Sequence, residues 1–273
     1  MSEELQDRWA VRFGYLGAGF YGWARQPGRR TIEGTILEGL RRFHLTAEGA
    51  PVQVAVASRT DRGVSARANA LVLRSSLAGP LLLRALNGIS PEIYFTAAAS
   101  VSAGFRVRNA TRRTYRYFEA VVDADFDRWT TAAGLFRGPV DVRSFGRAIP
   151  AHSPSWREVE AVRVHRRTGG LLIEVRAPSF VWGMVRKIVG ALREVGSGRL
   201  PLSRLEDAIH GGTRLSLPMA EPEGLVLWDV EYPHAWTLAW KGPNRHQQAF
   251  LDSTRAHQSR RQATLDAVAA FGL

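Results

Sequence analysis

The chain has 273 residues, room for one large or two small domains, and its balance of 45% hydrophobic to 23% charged residues suits a globular protein with a sizeable core. It contains no cysteine, which excludes disulfides, thiolate metal sites and a cysteine nucleophile. Its formal net charge is +12 and Lys187 and Lys241 are its only lysines, so the excess is arginine; that points to RNA or DNA as partner, although GC-rich coding also raises arginine.

"WAVRFGYLG" alternates, with Val11, Phe13 and Tyr15 on one face, and predicts a strand. "TIEGTILEGLRRFHL" sets Ile32, Ile36, Leu40 and Phe43 on one helical face behind Thr31 as N-cap. "VQVAVAS" is a predicted strand through Val52, Val54 and Val56, and "NALVLRS" another after a turn. "AGPLLLRALNG" predicts a short helix stopped at Gly88, and "EIYFTAAASV" a fourth strand. The order β-α-β-β-α-β is the split βαβ, ferredoxin-like pattern.

The pattern recurs. "TYRYFEAVV" is a predicted strand and "DVRSFGRAI" a predicted helix. "REVEAVRVHRRTGGLLIEVRA" is a hairpin turning near Gly169 and Gly170. "FVWGMVRKIVGALREVG" is the clearest helix, with Val181, Val185, Ile188, Leu192 and Val195 at helical spacing. "LSRLEDAIHGG" adds a helix and "GLVLWDVEYP" a final strand. The reading is α+β, with two related ferredoxin-like or RRM-like halves over residues 1–112 and 113–233. It rests on element order, since no sequence repeat is visible. Residues 234–273 form a polar, helical tail that carries Arg255, Arg260 and Arg261 either into solvent or to RNA. No apolar run reaches the ~18 residues of a membrane span, and the start "MSEELQDRWAV" is polar and acidic, unlike a secretory signal. A cytoplasmic protein is expected.

In "SRTDRGV", Asp61 follows an apparently buried strand and stands between Arg59 and Arg62. Flanking guanidinium groups favour its ionised form, which can act as nucleophile, base or cation ligand. If the strand continues, Arg59 and Asp61 share a face. A turn aspartate in a surface ion pair would look the same. In "FRVRNATRRTYRYF", Arg106, Arg108, Arg112, Arg113 and Arg116 interleave with Tyr115 and Tyr117. That mixture suits phosphate contact with base stacking, or an exposed strand with core tyrosines. Arg186 borders the apolar stripe of its helix, to meet a buried anion or to snorkel. The histidines show no metal-ligand spacing. "GYLGAGFYGW" lacks the G-x-G-x-x-G order and a P-loop lysine, which excludes nucleotide-cofactor binding of those kinds.

"SRTDRGVSA" resembles the "GRTD-x-GVHA" active-site motif of the A-type tRNA pseudouridine synthases. "YLGAGFYGWARQPGRRTIEG", "RRTYRYF", "FVWGMVRKIVGALREVGSG" and "EPEGLVLWDVEYP" are similar, in order, to four further motifs of that family, from about Val11 to Pro233. The resemblance implies isomerisation of uridine to pseudouridine at positions 38, 39 and 40 of the tRNA anticodon stem-loop, without cofactor or metal. It implies homodimers of two-domain subunits whose antiparallel sheets join into one extended sheet, with helices on one face. By motif, Asp61 is the catalytic carboxylate, attacking the uridine or its ribose. Tyr115 stacks on the target base and helps remove a proton, and Arg186 pairs with Asp61. Arg59, Arg62 and Arg113 bind the RNA. The chain departs from the pattern at Ser58, Ser65, Asn69 and Ala24, where Gly, His, Gln and Gln are usual. Two other classes remain: a noncatalytic RNA-binding protein of two RRM-like domains, and a carboxylate nuclease, for which Asp61 lacks acidic neighbours in sequence.

Overall fold

A computed structural model describes residues 8–46, 52–77, 79–120, 125–149, 154–233, 236–239 and 242–269. Lys241, most of the acidic N-terminal stretch and the end of the "TYRYFEAVV" strand lie outside them. No described helix is long and apolar enough to cross a membrane.

The first half of the chain forms β1 (Arg8–Tyr15), α1 (Ile32–Arg42), β2 (Ala55–Val56), β3 (Ser65–Arg74), α2 (Gly79–Leu86) and β4 (Ile93–Ser100). The second forms β5 (Arg112–Glu119), α3 (Phe126–Gly134), β6 (Gly138–Asp141), α4 (Val142–Phe145), β7 (Trp156–Val159), β8 (Ala161–Arg167), β9 (Gly170–Ala177), α5 (Met184–Gly196), α6 (Leu202–Ile209) and β10 (Leu225–Glu231). Two tail elements follow, β11 (Leu238–Ala239) and α7 (Arg245–Ala269). The main sheet runs β11-β4-β1-β3-β10-β5-β9-β8, with β2 also on β3; β6 and β7 make a small separate sheet. The fold is thus mixed α and β around one large, mostly antiparallel sheet.

The exception to antiparallel pairing is the seam. There β10, the last strand of the second half, lies parallel to β3 through Val226↔Ser65 and Leu227↔Ala66. The expected strand over Val52–Val56 keeps two residues, Ala55 and Val56, which pair with Val72 and Leu71 further along the same edge of β3.

Hydrophobic alternation builds the core. Phe13 stacks within 6 Å of Tyr15, Trp23 and Phe95, all buried. Thr31 caps α1 by accepting the Gly34 N–H, as its sequence predicts. Helix α3 carries no expectation from the sequence, yet Asp125 caps it and Trp129, Ala132 and Ala133 bury one face. The helix expected over "DVRSFGRAI" is one turn, α4, ended by extended Gly146. Helix α5 starts at Met184 rather than near Phe180, because Gly183 takes a left-handed φ of 77°. Val181 and the exposed Trp182 therefore leave the helical stripe.

Candidate active site

Asp61 sits on the loop from β2 to β3. Its carbonyl accepts the Val64 N–H at 3.2 Å, closing a turn whose third residue, Gly63, has φ +82°. An L side chain disfavours that region, so glycine lets the chain reverse immediately after the carboxylate. The loop is tied down on both sides. The Thr60 carbonyl accepts the Trp23 N–H at 3.0 Å, and the Thr60 hydroxyl meets the buried Tyr15 phenol at 2.8 Å.

Helix α5 comes from the other half of the chain and supplies the cation. Arg186 Nη1 donates to Asp61 Oδ2 at 3.0 Å. Its Nε donates to the Ala220 carbonyl at 2.6 Å, which aims the guanidinium fork. The Trp182 indole N–H donates to Asp61 Oδ1 at 2.7 Å. Both carboxylate oxygens therefore have a donor, while the side chain remains 27% exposed. It faces a cleft of about 1140 Å³. Trp182 is itself 53% exposed, with the Arg147 guanidinium 4.9 Å from its ring centre.

Tyr115, in β5, is buried at the cleft wall and meets Phe180 edge-on at 5.2 Å. Burial pushes its phenol up to about 12, opposed by its hydrogen bond with Ser58, so it is neutral at ordinary pH. Arg113 lies beside it, also buried, and most of its donors serve the scaffold. Nε donates to the Ser58 hydroxyl at 3.0 Å, Nη2 to the carbonyls of Ala57 and Arg108 at 3.2 and 2.8 Å, and Nη1 to that of Pro178. Arg59 is exposed and lines the cleft, but β2 has ended at Val56, so no strand alternation relates it to Asp61. Arg62 stacks 4.4 Å from the ring centre of Tyr21, on which Arg29 also stacks at 4.5 Å.

The structure thus brings Asp61, Arg186, Tyr115, Arg59, Arg62 and Arg113 to one cleft. It adds Trp182, Tyr21 and Arg147. Three departures from the family pattern brace the loop: Asn69 donates to the Ser58 carbonyl at 2.8 Å, Ser58 receives Arg113, and the Ser65 hydroxyl accepts the Gly17 N–H at 3.0 Å. Ala24 lines the cleft. Among the described residues no group of three or more His, Asp or Glu side chains could hold a metal ion.

A firmly held, accessible carboxylate opposite an arginine, in a basic cleft walled by aromatics, has the chemistry to serve as nucleophile or base beside an anionic ligand. Comparison with known proteins narrows this. Residues 132–233 match the family model described as tRNA pseudouridine synthase. The chain is 40% identical over 229 residues to tRNA pseudouridine synthase A of Thermococcus kodakarensis, covering 82% of this chain and 84% of that protein. It is 34% identical over 266 residues to the protein of that name from Methanothrix thermoacetophila, covering 95% and 94%. With that of Pyrococcus furiosus the figures are 32% over 259 residues, 92% and 94%. The chain belongs to the tRNA pseudouridine synthase family, isomerases that convert uridine in tRNA to pseudouridine.

Proposed function

We propose that this chain isomerises uridine to pseudouridine at one or more of positions 38, 39 and 40 of the tRNA anticodon stem-loop, with Asp61 as nucleophile. The observation that carries the proposal is the 3.0 Å contact of Asp61 with Arg186 at a cleft roomy enough for a flipped nucleotide. In the reaction the N1–C1′ bond breaks, the uracil turns, and a C5–C1′ bond forms. A proton leaves C5 and N1 ends protonated. No oxidant, hydride or water is consumed, so the atoms balance without a cofactor. Asp61 attacks the base or its ribose and is released as the carbon–carbon bond closes.

Arg186 holds the carboxylate ionised and aimed. Tyr115 stacks on the target base and, being neutral, assists loss of the C5 proton by relay, taking that proton up as its own hydroxyl proton passes on. Arg59 and Arg62 contact RNA phosphates, and Arg113 orders the wall against which the RNA lies. The two-half architecture belongs to the same proposal: residues 1–112 carry the Asp61 loop and 113–233 the Arg186 helix. Each half is ferredoxin-like, with helices on one face of a shared sheet. The strand orders β4-β1-β3-β2 and β10-β5-β9-β8 support this, being the same permutation of first, second, third and fourth strands. The working unit is a homodimer in the cytoplasm.

The test is mass spectrometry of tRNA after incubation with wild type and Asp61→Asn. Pseudouridine within positions 38–40, formed by wild type alone, is the expected result. Tight tRNA binding with unchanged uridine would make the chain a noncatalytic RNA-binding protein.

A further inference from the structure

The tail is built in two unlike parts. Its root is locked to the body. Strand β11 adds to the outer edge of β4 through Leu238↔Ala98 and Ala239↔Ala97. Asn244 and Gln247 then form a reciprocal capping box: Gln247 N–H donates to Asn244 Oδ1 and Asn244 N–H to Gln247 Oε1, both at 2.9 Å. Gln247 is 1% exposed. Its amide donates to Asn87 Oδ1 at 2.8 Å and to the Ile93 carbonyl at 2.9 Å, and Asn244 donates to the Asn87 carbonyl at 2.8 Å. Such a buried, satisfied polar network fixes where α7 begins and how it leaves the body.

Beyond the root almost every described side chain of the helix is exposed. Gln247, Phe250, Leu251 and Thr254 are partly or fully covered, but every residue from Arg255 to Thr264 is exposed. A helix of 25 residues is about 37 Å long. A polar helix that projects from a well-made anchor has its purpose outside the body.

Charge says what that purpose is. At 3.6 residues per turn, Arg245, His246, His257, Arg260 and Arg261 fall within one half of the circumference of α7; Asp252 lies just beyond its Arg245 edge, and Asp266 and Arg255 lie further round, away from Arg261. Asp252 is engaged by Gln248 and Arg255, and Asp266 by Gln262. Neither acid pairs with Arg260 or Arg261. The root is also at the catalytic end of the sheet: Ile93 pairs with Tyr15, whose phenol holds Thr60, next to Asp61. Glu92, the residue before Ile93, pairs with Arg30 of the loop that lines the cleft with Tyr21 and Trp23. Arg255 lies close enough to act on Tyr94, whose burial pushes its phenol up to about 12.

We propose that α7 is a basic arm that binds the phosphate backbone of the tRNA outside the anticodon loop while the loop occupies the cleft. This rests on tRNA being the substrate; its contacts are electrostatic and independent of sequence. Arg260 and Arg261 are its far grip.

The test compares wild type, Arg260→Gln/Arg261→Gln and Arg260→Lys/Arg261→Lys for binding to full-length tRNA and to an isolated anticodon stem-loop over a salt series. The glutamine pair is expected to bind full-length tRNA roughly tenfold more weakly, with a salt slope shallower by about 2. The lysine pair is expected to keep the wild-type slope, and stem-loop binding is expected to be equal in all three. Unchanged full-length binding and slope in the glutamine pair would overturn the proposal. So would a change in solution mass with unchanged RNA binding, which would assign α7 to a second copy of the chain. The readout is affinity, so it stands whether or not the protein forms pseudouridine at the expected positions. Both positions are exposed, and an unchanged melting temperature confirms the fold.

Discussion

Helix α5 carries two arginines seven residues apart, hence on one face, and they have opposite fates. Arg186 reaches across to the other half and meets Asp61, a carboxylate that faces an open cleft. Arg193 stays within its own half, donating to Glu119 at 2.8 Å and Glu221 at 2.9 Å. Tyr117 adds its hydroxyl to Glu221. The Glu221 hydrogen bond comes first among the causes that raise Arg193 above its ordinary value, and the same bond takes Glu221 down to about 2. In this second cluster Glu119 is buried, 8% exposed, Glu221 lies at the surface, and neither carboxylate lines the cleft that Asp61 faces. Under the function proposed above, the difference separates an ion pair that meets a reactant from one that holds a fold. Residue type and helix position are alike; the space in front of the carboxylate is not.

Removing the open carboxylate tests this most severely. Asp61→Asn is expected to cut kcat by a factor on the order of 10⁴ or more, with a melting temperature near that of wild type. Single-turnover pseudouridine formation and thermal melts read the two quantities. Exchanging the arginines should dissociate the roles. Arg186→Ala is expected to lower kcat by roughly 100- to 1000-fold with a minor loss of stability. Arg193→Ala strands the buried Glu119 and is expected to cost about 3 kcal/mol in urea unfolding, with near-normal kcat in the folded fraction. Equal stability losses for both would erase the distinction. Trp182→Phe removes one donor from Asp61 and keeps the ring. A roughly tenfold fall in kcat with little change in KM is expected, and Trp182→His, which restores an N–H, is expected to recover part of it.

The smallest effect lies in acid. Glu221 ionises at a lower pH folded than its ordinary 4.5. Its stabilisation is thus complete above about pH 4.5 and fades as pH falls towards 2. Its side chain is 66% exposed, so solvent screening keeps the contribution under about 1 kcal/mol. The stability gap between wild type and Glu221→Gln is expected to close over that window in acid-unfolding curves.

Much of the scaffold is legible in the sequence because periodicity survives into structure. The β1 alternation, the Thr31 cap and the β8–β9 hairpin at Gly169 stand where the pattern puts them. The failures are tertiary. Nothing in "VQVAVAS" says that only Ala55 and Val56 pair with β3, or that β10 comes from the far end of the chain to share that edge. Val181 fits the helical stripe by spacing, and one backbone angle at Gly183 takes it out, together with Trp182. Trp182 therefore carried no signal of its own. In contrast, α3 had one: Asp125 as cap, with Trp129, Ala132 and Ala133 at helical spacing. At the site, local composition could not separate Asp61 from a surface aspartate. Its partner lies 125 residues away, and the ordered family motifs bring the two to mind together where spacing cannot.

The parallel seam has a consequence in time. Strand β10 is made after every other strand of the main sheet but β11, yet it lies between β3 and β5, near the sheet's middle. Until Leu225–Glu231 leave the ribosome, the Ser65 end of β3 and one whole side of β5 are open edges. Such edges invite wrong pairing. The strand that ties β3 to β5 comes late, and Asp61 and Arg186 stand on the two sides it joins.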